Sequence, residues 1–344
     1  MRAVSGRASR WPAAAWLPAA LVLAAAGVVV TLPRQYRIEG LSMAPGLLPG
    51  DVVQTGLLPS RDTFRRPRRF ERWIVAAPDG TPAIKRVIGL PGETISIVDG
   101  DLAIDGLTVL TPPTLLAATA SRVPRGTDAG GSRTPRDPGP WLESVPPAIV
   151  YDDAECAPAE RRTLLPVRDV GLAAVVRIRD SPAADAPLRV LLRVGPRVVP
   201  WRIEAAGRYA AVAGRLDGRL VGAAWPIADP PTTHGPRTCL PPGAPTEWQL
   251  AMPWPTASDG DQPMLALGIT ADGLAVDGAS GTALVEQFVV WRDLLHRPAA
   301  DGVVQWRLGS DAFFVLGDFP SASRDSRQWG PLGRRAFQAR ASDP

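Results

Sequence analysis

The sequence predicts a mainly β protein: an N-terminal transmembrane helix, then an antiparallel β domain interrupted by a large β-sandwich insert. Three observations predict it. An uncharged run occupies residues 11–33, WPAAAWLPAALVLAAAGVVVTLP. Short β-branched segments bounded by Gly and Asp turn signals fill most of the remainder, which argues against long helices. A Pro/Gly-rich stretch at 111–147 separates two such β regions.

The 344 residues give room for two domains, each able to bury its own core. The composition is globular, 45% hydrophobic and 21% charged. A formal net charge of +4 is modest, and the arginines are scattered. The one dense basic cluster, RRPRR at 65–69, lacks the interleaved aromatics of a nucleic-acid platform. It reads as a solvated loop or a contact with anionic lipid, and nucleic acid is not an expected partner. Cys156 and Cys239 are the only cysteines, at a separation that fits no metal-ligand spacing. Outside the cytoplasm they form one disulfide or remain two buried thiols; the sequence leaves both open. His234 and His296 lie far apart, without carboxylate neighbours of catalytic type. No histidine triad, metal site or organic cofactor is expected.

Residues 1–10 carry Arg2, Arg7 and Arg10, which by the positive-inside rule hold this end in the cytoplasm. The run at 11–33 exceeds the roughly 20 apolar residues a membrane-crossing helix needs. Trp11 and Trp16 suit an interfacial belt, and Pro12 and Pro18 fall early, where a helix tolerates them better. A cleaved leader is the rival reading, but its apolar region is normally shorter than this run. Either way, the chain from Arg34 onward is expected on the extracytoplasmic side.

The next region, 34–110, holds two candidate catalytic residues. Ser42 lies in YRIEGLSMAPGLLPGDVVQT, residues 36–55. Its hydroxyl is a poor nucleophile until a base takes its proton, and no histidine is near. The candidate base is Lys85, the only lysine in a chain with 38 Lys+Arg. An ordinary lysine has a pKa of about 10.4, and apolar burial can lower it by about 3–5 units. Ile84, Val87 and Ile88 offer such burial, with Arg86 directed to the opposite face of a strand. Arginine cannot replace it, because a guanidinium stays charged. Taken singly, a turn serine and a surface lysine would be the ordinary readings of these positions.

Three stretches together resemble type I signal peptidases. GLSMAPGLLPGD is similar to their nucleophile box, S-M-x-P-T-L. AIKRVIGLPGETISIVDGDLAIDG resembles their lysine box, K-R-x-x-G-L-P-G-D, and FFVLGDFPSASRDSRQWGPL, residues 313–332, their third box, G-D-N-x-x-x-S-x-D-S-R-x-x-G. The order is the family's, directly after an N-terminal anchor. The resemblance implies Ser42 as nucleophile and Lys85 as general base. It implies Ser323 as the hydroxyl that orients the amine, Asp325 and Arg327 as a bracing ion pair, and Asp318 as the acidic opening of the third box. Met43 and Ile84 fall where the family lines its small substrate pockets. Gly40 stands where some members carry an oxyanion-hole serine, which leaves that task to backbone N–H groups such as that of Ser42. Gly46, Phe319 and Ala322 depart from the pattern.

Residues 148–307 break into short apolar runs, and a two-sheet sandwich is the economical arrangement for them. LALGITADGLAVDG with VVWRDLLHR resembles the inserts of planctomycete-type signal peptidases, which implies a concanavalin-like jelly roll. Trp201, Trp225, Trp248 and Trp254 are either core or a sugar platform, core being the ordinary reading. The peptidase part then resumes over 308–344. The implied protein is a membrane-bound serine endopeptidase with a Ser/Lys dyad. It cleaves signal peptides after small-x-small motifs, with precursor proteins, membrane lipid and the secretion translocon as partners. The alternatives are a tethered glycan- or protein-binding module on an inactive peptidase scaffold, and a processing peptidase of narrow specificity.

Overall fold

A computed structural model of the chain describes residues 34–55, 65–122, 142–144, 150–152, 164–166, 169–182, 188–228, 240, 243–254, 265–271, 283–298 and 302–341. Among them the protein is mainly β, and every strand pairing is antiparallel. No helix of the described residues is long and apolar enough to cross a membrane. The expected anchor at 11–33 lies outside the described residues, as do Cys156, Cys239 and His234.

The sheet that positions the candidate site has five strands, in the order Leu332–Gly333, Ala312–Leu316, Pro82–Gly89, Arg72–Ala76, Phe337–Arg340. Its central strand is buried without a break from Lys85 to Gly89, so side chains on both faces are covered. Val87 joins Trp73, Val75, Phe313, Val315 and Phe337 on one face. Ile88 joins Ile95, Ile97, Trp306, Phe314 and Leu316 on the other. Arg86 does leave the Val87 face, as expected, but it stays buried. The neighbouring strand Ala312–Leu316 comes from the far end of the sequence, and its pairing with Pro82–Gly89 joins the lysine box to the third box.

A four-stranded sheet lies beside it, ordered Gln305–Arg307, Thr94–Val98, Asp101–Ile104, Leu107–Thr108. Because Gln305 pairs with Ser96, the chain has returned to this part three residues before the expected resumption at 308. The stretch 111–147, expected as a linker, is also corrected in part. Residues Pro113–Thr119 form a helix, and Ser121–Arg122 and Leu142–Ser144 form strands. Pro113 sits in the first turn, where proline costs no hydrogen bond, and the apolar LLAA that follows has a face to bury. Leu116 and Ala120 enter a core with Trp225 and Trp291.

Two short antiparallel pairs, Gln35–Arg37 with Val52–Gln54 and Val150–Asp152 with Leu164–Pro166, stand by themselves, and the other described strands form two further sheets. One has six strands, Leu250–Pro253, Arg219–Ile227, Gly207–Leu216, Val170–Ile178, Ala283–Arg292 and Ser121–Arg122. The other has four, Arg197–Ile203, Leu188–Val194, Leu265–Ala271 and Leu142–Ser144. Alternate residues of both, Leu172, Ala174 and Val176 from the first and Val190, Leu192 and Val194 from the second, share one hydrophobic core. Trp225 is buried in a core, Trp201 and Trp254 pack against one, and the Trp248 indole N–H donates to the Thr111 carbonyl at 2.9 Å. All four indoles thus serve packing. Within RRPRR, Arg65 pairs with Glu71 at 2.7 Å and Arg69 with Glu93 at 2.6 Å, so two of its cations are engaged inside the fold.

Candidate active site

Lys85 leaves the central strand into a nearly closed environment, 3% exposed. Its Nζ lies 3.3 Å from the Ser323 hydroxyl and 5.8 Å from the ring centroid of Trp329. Burial lowers the amine from its ordinary value to about 8, while the Asp325 and Asp318 carboxylates act in the opposite sense.

The partners of that amine are fixed from behind. The Ser323 hydroxyl donates to Asp325 Oδ2 at 2.7 Å. Its proton is therefore committed, and toward Lys85 it presents a lone pair. Asp325 is fully buried and also accepts from the backbone N–H of Gly317 at 3.0 Å. Arg327 donates to it through Nε at 2.9 Å and Nη2 at 3.0 Å. Burial alone would raise this carboxyl; the Arg327 hydrogen bonds and charge, with the Gly317 and Ser323 donors, outweigh it and hold the pKa below the usual carboxylate value. Asp325 also caps the short helix Ser326–Trp329, in a capping box completed by Gln328. The sequence D-S-R-Q builds this locally: the carboxylate that caps the helix is the same one that claims the Ser323 proton.

Arg327 spreads its remaining donors over the carbonyls of Pro320 at 2.8 Å and Arg297 at 3.3 Å. Asp318 takes a bidentate pair from Arg86, Nε at 2.7 Å and Nη2 at 2.5 Å, while Arg86 Nη1 donates to the Phe70 carbonyl at 2.7 Å. Asp318 thus anchors the start of the third box to the strand that carries Lys85.

Ser42 reaches this group through its backbone. Its carbonyl accepts from Phe319 N–H at 3.0 Å. That bond uses main chain only, so it does not depend on the Phe319 side chain. Gly317 is the junction: a Cβ there would lie 2.2 Å from Ser323 Oγ and 2.5 Å from the Ser42 carbonyl oxygen. Both residues therefore converge on one α-carbon. Among the described residues no hydrogen bond joins the Ser42 hydroxyl to the Lys85 amine. Catalytic hydrogen bonds commonly tighten only once substrate is present.

Met43 is buried in a small cluster with Ile38, Leu47 and Val53, and half-buried Ile84 packs against it. Gly40 is exposed, with open space around the position of an added Cβ. Sequence reasoning missed Gly317, Arg86 and Trp329. The G-D dipeptide opening the third box was a usable signal for the first, since glycine is favoured where backbones approach closely. Replacing Gly317 with alanine forces Ser323 or the Ser42 segment aside. Any chemistry carried out by this group is expected to slow about 10²-fold or more, as a displacement of the order of 1 Å costs. Steady-state assay of that variant beside a melting curve checks it.

Burial of the amine, with a hydroxyl beside it whose own proton goes to a carboxylate, gives Lys85 a lowered pKa and a fixed hydrogen-bond partner. Residues 11–137 match the family described as signal peptidase, peptidase S26. A stretch of 77 residues is 39% identical to Signal peptidase I V of Bacillus subtilis (strain 168), covering 22% of this chain and 45% of that relative. The chain thus spans less than half the length of the curated relative it matches. Over this N-terminal part the chain is similar to bacterial signal peptidases. Ser42 and Lys85 fall within the matched residues; Ser323, Asp325 and Arg327 lie beyond them.

Proposed function

We propose that the chain is a membrane-anchored endopeptidase that removes N-terminal signal peptides from exported proteins. The observation that carries this reading is the Lys85 amine at 3.3 Å from Ser323, whose proton is already given to Asp325. Ser323 can then only accept from the amine. One Lys85 N–H is fixed toward Ser323, which leaves the lone pair of the neutral amine free to face Ser42.

Neutral Lys85 takes the Ser42 proton, and the oxygen attacks the scissile carbonyl. Backbone N–H groups, including that of Ser42, hold the oxyanion. The protonated amine gives its proton to the leaving amine, and an acyl-enzyme remains. Water, deprotonated by the same lysine, resolves it. The small-x-small cleavage motif is the one that the resemblance implies, and the precursor is bound as an extended strand along a sheet edge. Residues 11–33 anchor the chain in the cytoplasmic membrane, with 1–10 inside and the peptidase part outside, near membrane lipid and the translocon. The peptidase part comprises 34–110 and the C-terminal region from about 305; the sheets between form the insert.

The test is cleavage of an exported precursor by detergent-solubilised protein, beside Ser42→Ala. Processing after Ala-x-Ala by the parent alone is the expected result; equal processing by the variant removes the proposal. The pH profile is a second check. The base works uncharged, and its pKa is lowered to about 8. Below that value kcat/KM is expected to rise about tenfold per pH unit, levelling above it. A profile flat from pH 6 to 9 would exclude Lys85 as the titrating base.

A further inference from the structure

The segment that leaves the insert comes back onto the peptidase part beside the Asp325–Arg327 pair. The strand Ala283–Arg292 ends, and the residues after it are seated on the turn between Thr94–Val98 and Asp101–Ile104. There the His296 N–H donates to the Gly100 carbonyl at 2.8 Å. Gly100 has a φ of 97°, which favours glycine, and a Cβ on it would lie 2.1 Å from Leu295 Cδ1. Leu295 thus occupies the place that any side chain at position 100 would take. One residue beyond His296, the Arg297 carbonyl accepts from Arg327 Nη1 at 3.3 Å. The exit of the insert therefore touches the guanidinium that braces Asp325.

Between these two contacts the His296 side chain is buried, 9% exposed, and its Nδ1 has no hydrogen-bond partner among the described residues. The charges that act on the ring are those of Arg327 and Asp325. Burial, and then Arg327, lowers its pKa to about 4 against the opposing pull of Asp325, so the ring is uncharged at neutral pH. The cavity that the ring lines carries further ionisable groups. Arg86 and Asp318 pair with one another there, and burial pushes the carboxyls of Asp101, Asp217 and Asp293 up to about 7, 8 and 7. Arg327 gives two donors to Asp325 and the others to the carbonyls of Pro320, Ser323 and Arg297. Asp325 is thus its one ion-pair partner among the described residues.

We propose that His296 is a positioning residue for Lys85: its uncharged ring, brought in by the insert, leaves Arg327 undivided on Asp325. With that pair intact, the carboxylate holds the Ser323 hydroxyl, and its charge near the Lys85 amine is balanced by the guanidinium. An acidic side chain at 296 would draw Arg327 from Asp325 and bring a second anion. Both changes favour the charged form of the amine. The proposal rests on Lys85 as the base and gives the insert a part in setting it.

Lys85 is the only lysine, so protein grown on lysine labelled with carbon-13 at Cε shows one lysine side-chain resonance, which titrates with this amine. Full-length protein in detergent is titrated this way, with a melting curve for each variant. The parent midpoint is expected near 8. His296→Glu should raise it by about one pH unit and lower kcat at pH 7 about tenfold with KM unchanged, a loss that shrinks as the pH rises. His296→Gln, uncharged and of similar size, should keep the parent midpoint. A side chain that merely fills space would change the melting curves and leave every midpoint alone. The cavity carboxyls are common to all variants, so differences between midpoints do not come from them. Titration in a Ser42→Ala background reads the amine where no cleavage is possible, so a parent that fails to process precursor tells against the peptidase reading alone. A parent-like midpoint in folded His296→Glu, or an equal rise in His296→Gln, overturns the proposal. If His296→Glu does not fold, the shorter His296→Asp takes its place.

Discussion

Replacing Lys85 with arginine or methionine is expected to abolish precursor cleavage, by about 10⁴-fold or more, while the fold survives. The two substitutions fail for different reasons. Arginine keeps the charge at any working pH and has no lone pair to accept the Ser42 proton. Methionine fills nearly the same volume but brings no base. Their stabilities should diverge accordingly. The native amine is 3% exposed, and burial has already lowered its pKa to about 8, a sign that its charged form is poorly accommodated there. Lys85→Met removes that penalty and should melt at or above the parent's temperature at pH 7. Lys85→Arg must fit a larger permanent cation beside Trp329 and should melt lower. An inactive but more stable Lys85→Met would show that the lysine is kept for chemistry at a cost in stability. Substantial cleavage by either variant would end the proposal.

How much of this was legible in the sequence depended on whether the cause was local. Lys85 could be singled out because a lone lysine among arginines needs a reason to remain, and the strand around it supplies burial. Ser323, Asp325 and Arg327 were reached only through the resemblance of one short box, and in the fold Asp325 bonds residues within a few positions of itself. Gly317 was not singled out, since its need to be bare arises only when the Ser42 carbonyl, far off in sequence, is laid against it. Arg86 was assigned merely to an opposite face; its bidentate partner Asp318 lies in another box altogether. The helix Pro113–Thr119 was hidden by composition, because a Pro/Thr-rich beginning suggested a linker while Leu116 had a core waiting for it.

Asp325→Asn is expected to give the second large effect, and to act on stability and activity together. Arg327 is 5% exposed, and its Nε and Nη2 both donate to Asp325. Neutralising the carboxylate leaves a guanidinium buried without its counter-charge, which typically costs about 3–5 kcal/mol. The new amide also carries two N–H donors into a place where Gly317, Ser323 and Arg327 already donate, so at least one pair must part. Once Ser323 no longer gives its proton to position 325, its hydroxyl can turn and donate toward Lys85. That would tie up the lone pair meant for Ser42, and the rate should fall about 10³-fold even in the molecules that remain folded. Ser323→Ala separates the two contributions. It leaves the Asp325–Arg327 pair intact and should cost little stability, yet it removes the acceptor that aims the amine. Should Ser323→Ala cleave as fast as the parent while Asp325→Asn merely melts earlier, the carboxylate would be a structural brace alone and the hydroxyl relay to Lys85 would have to be abandoned.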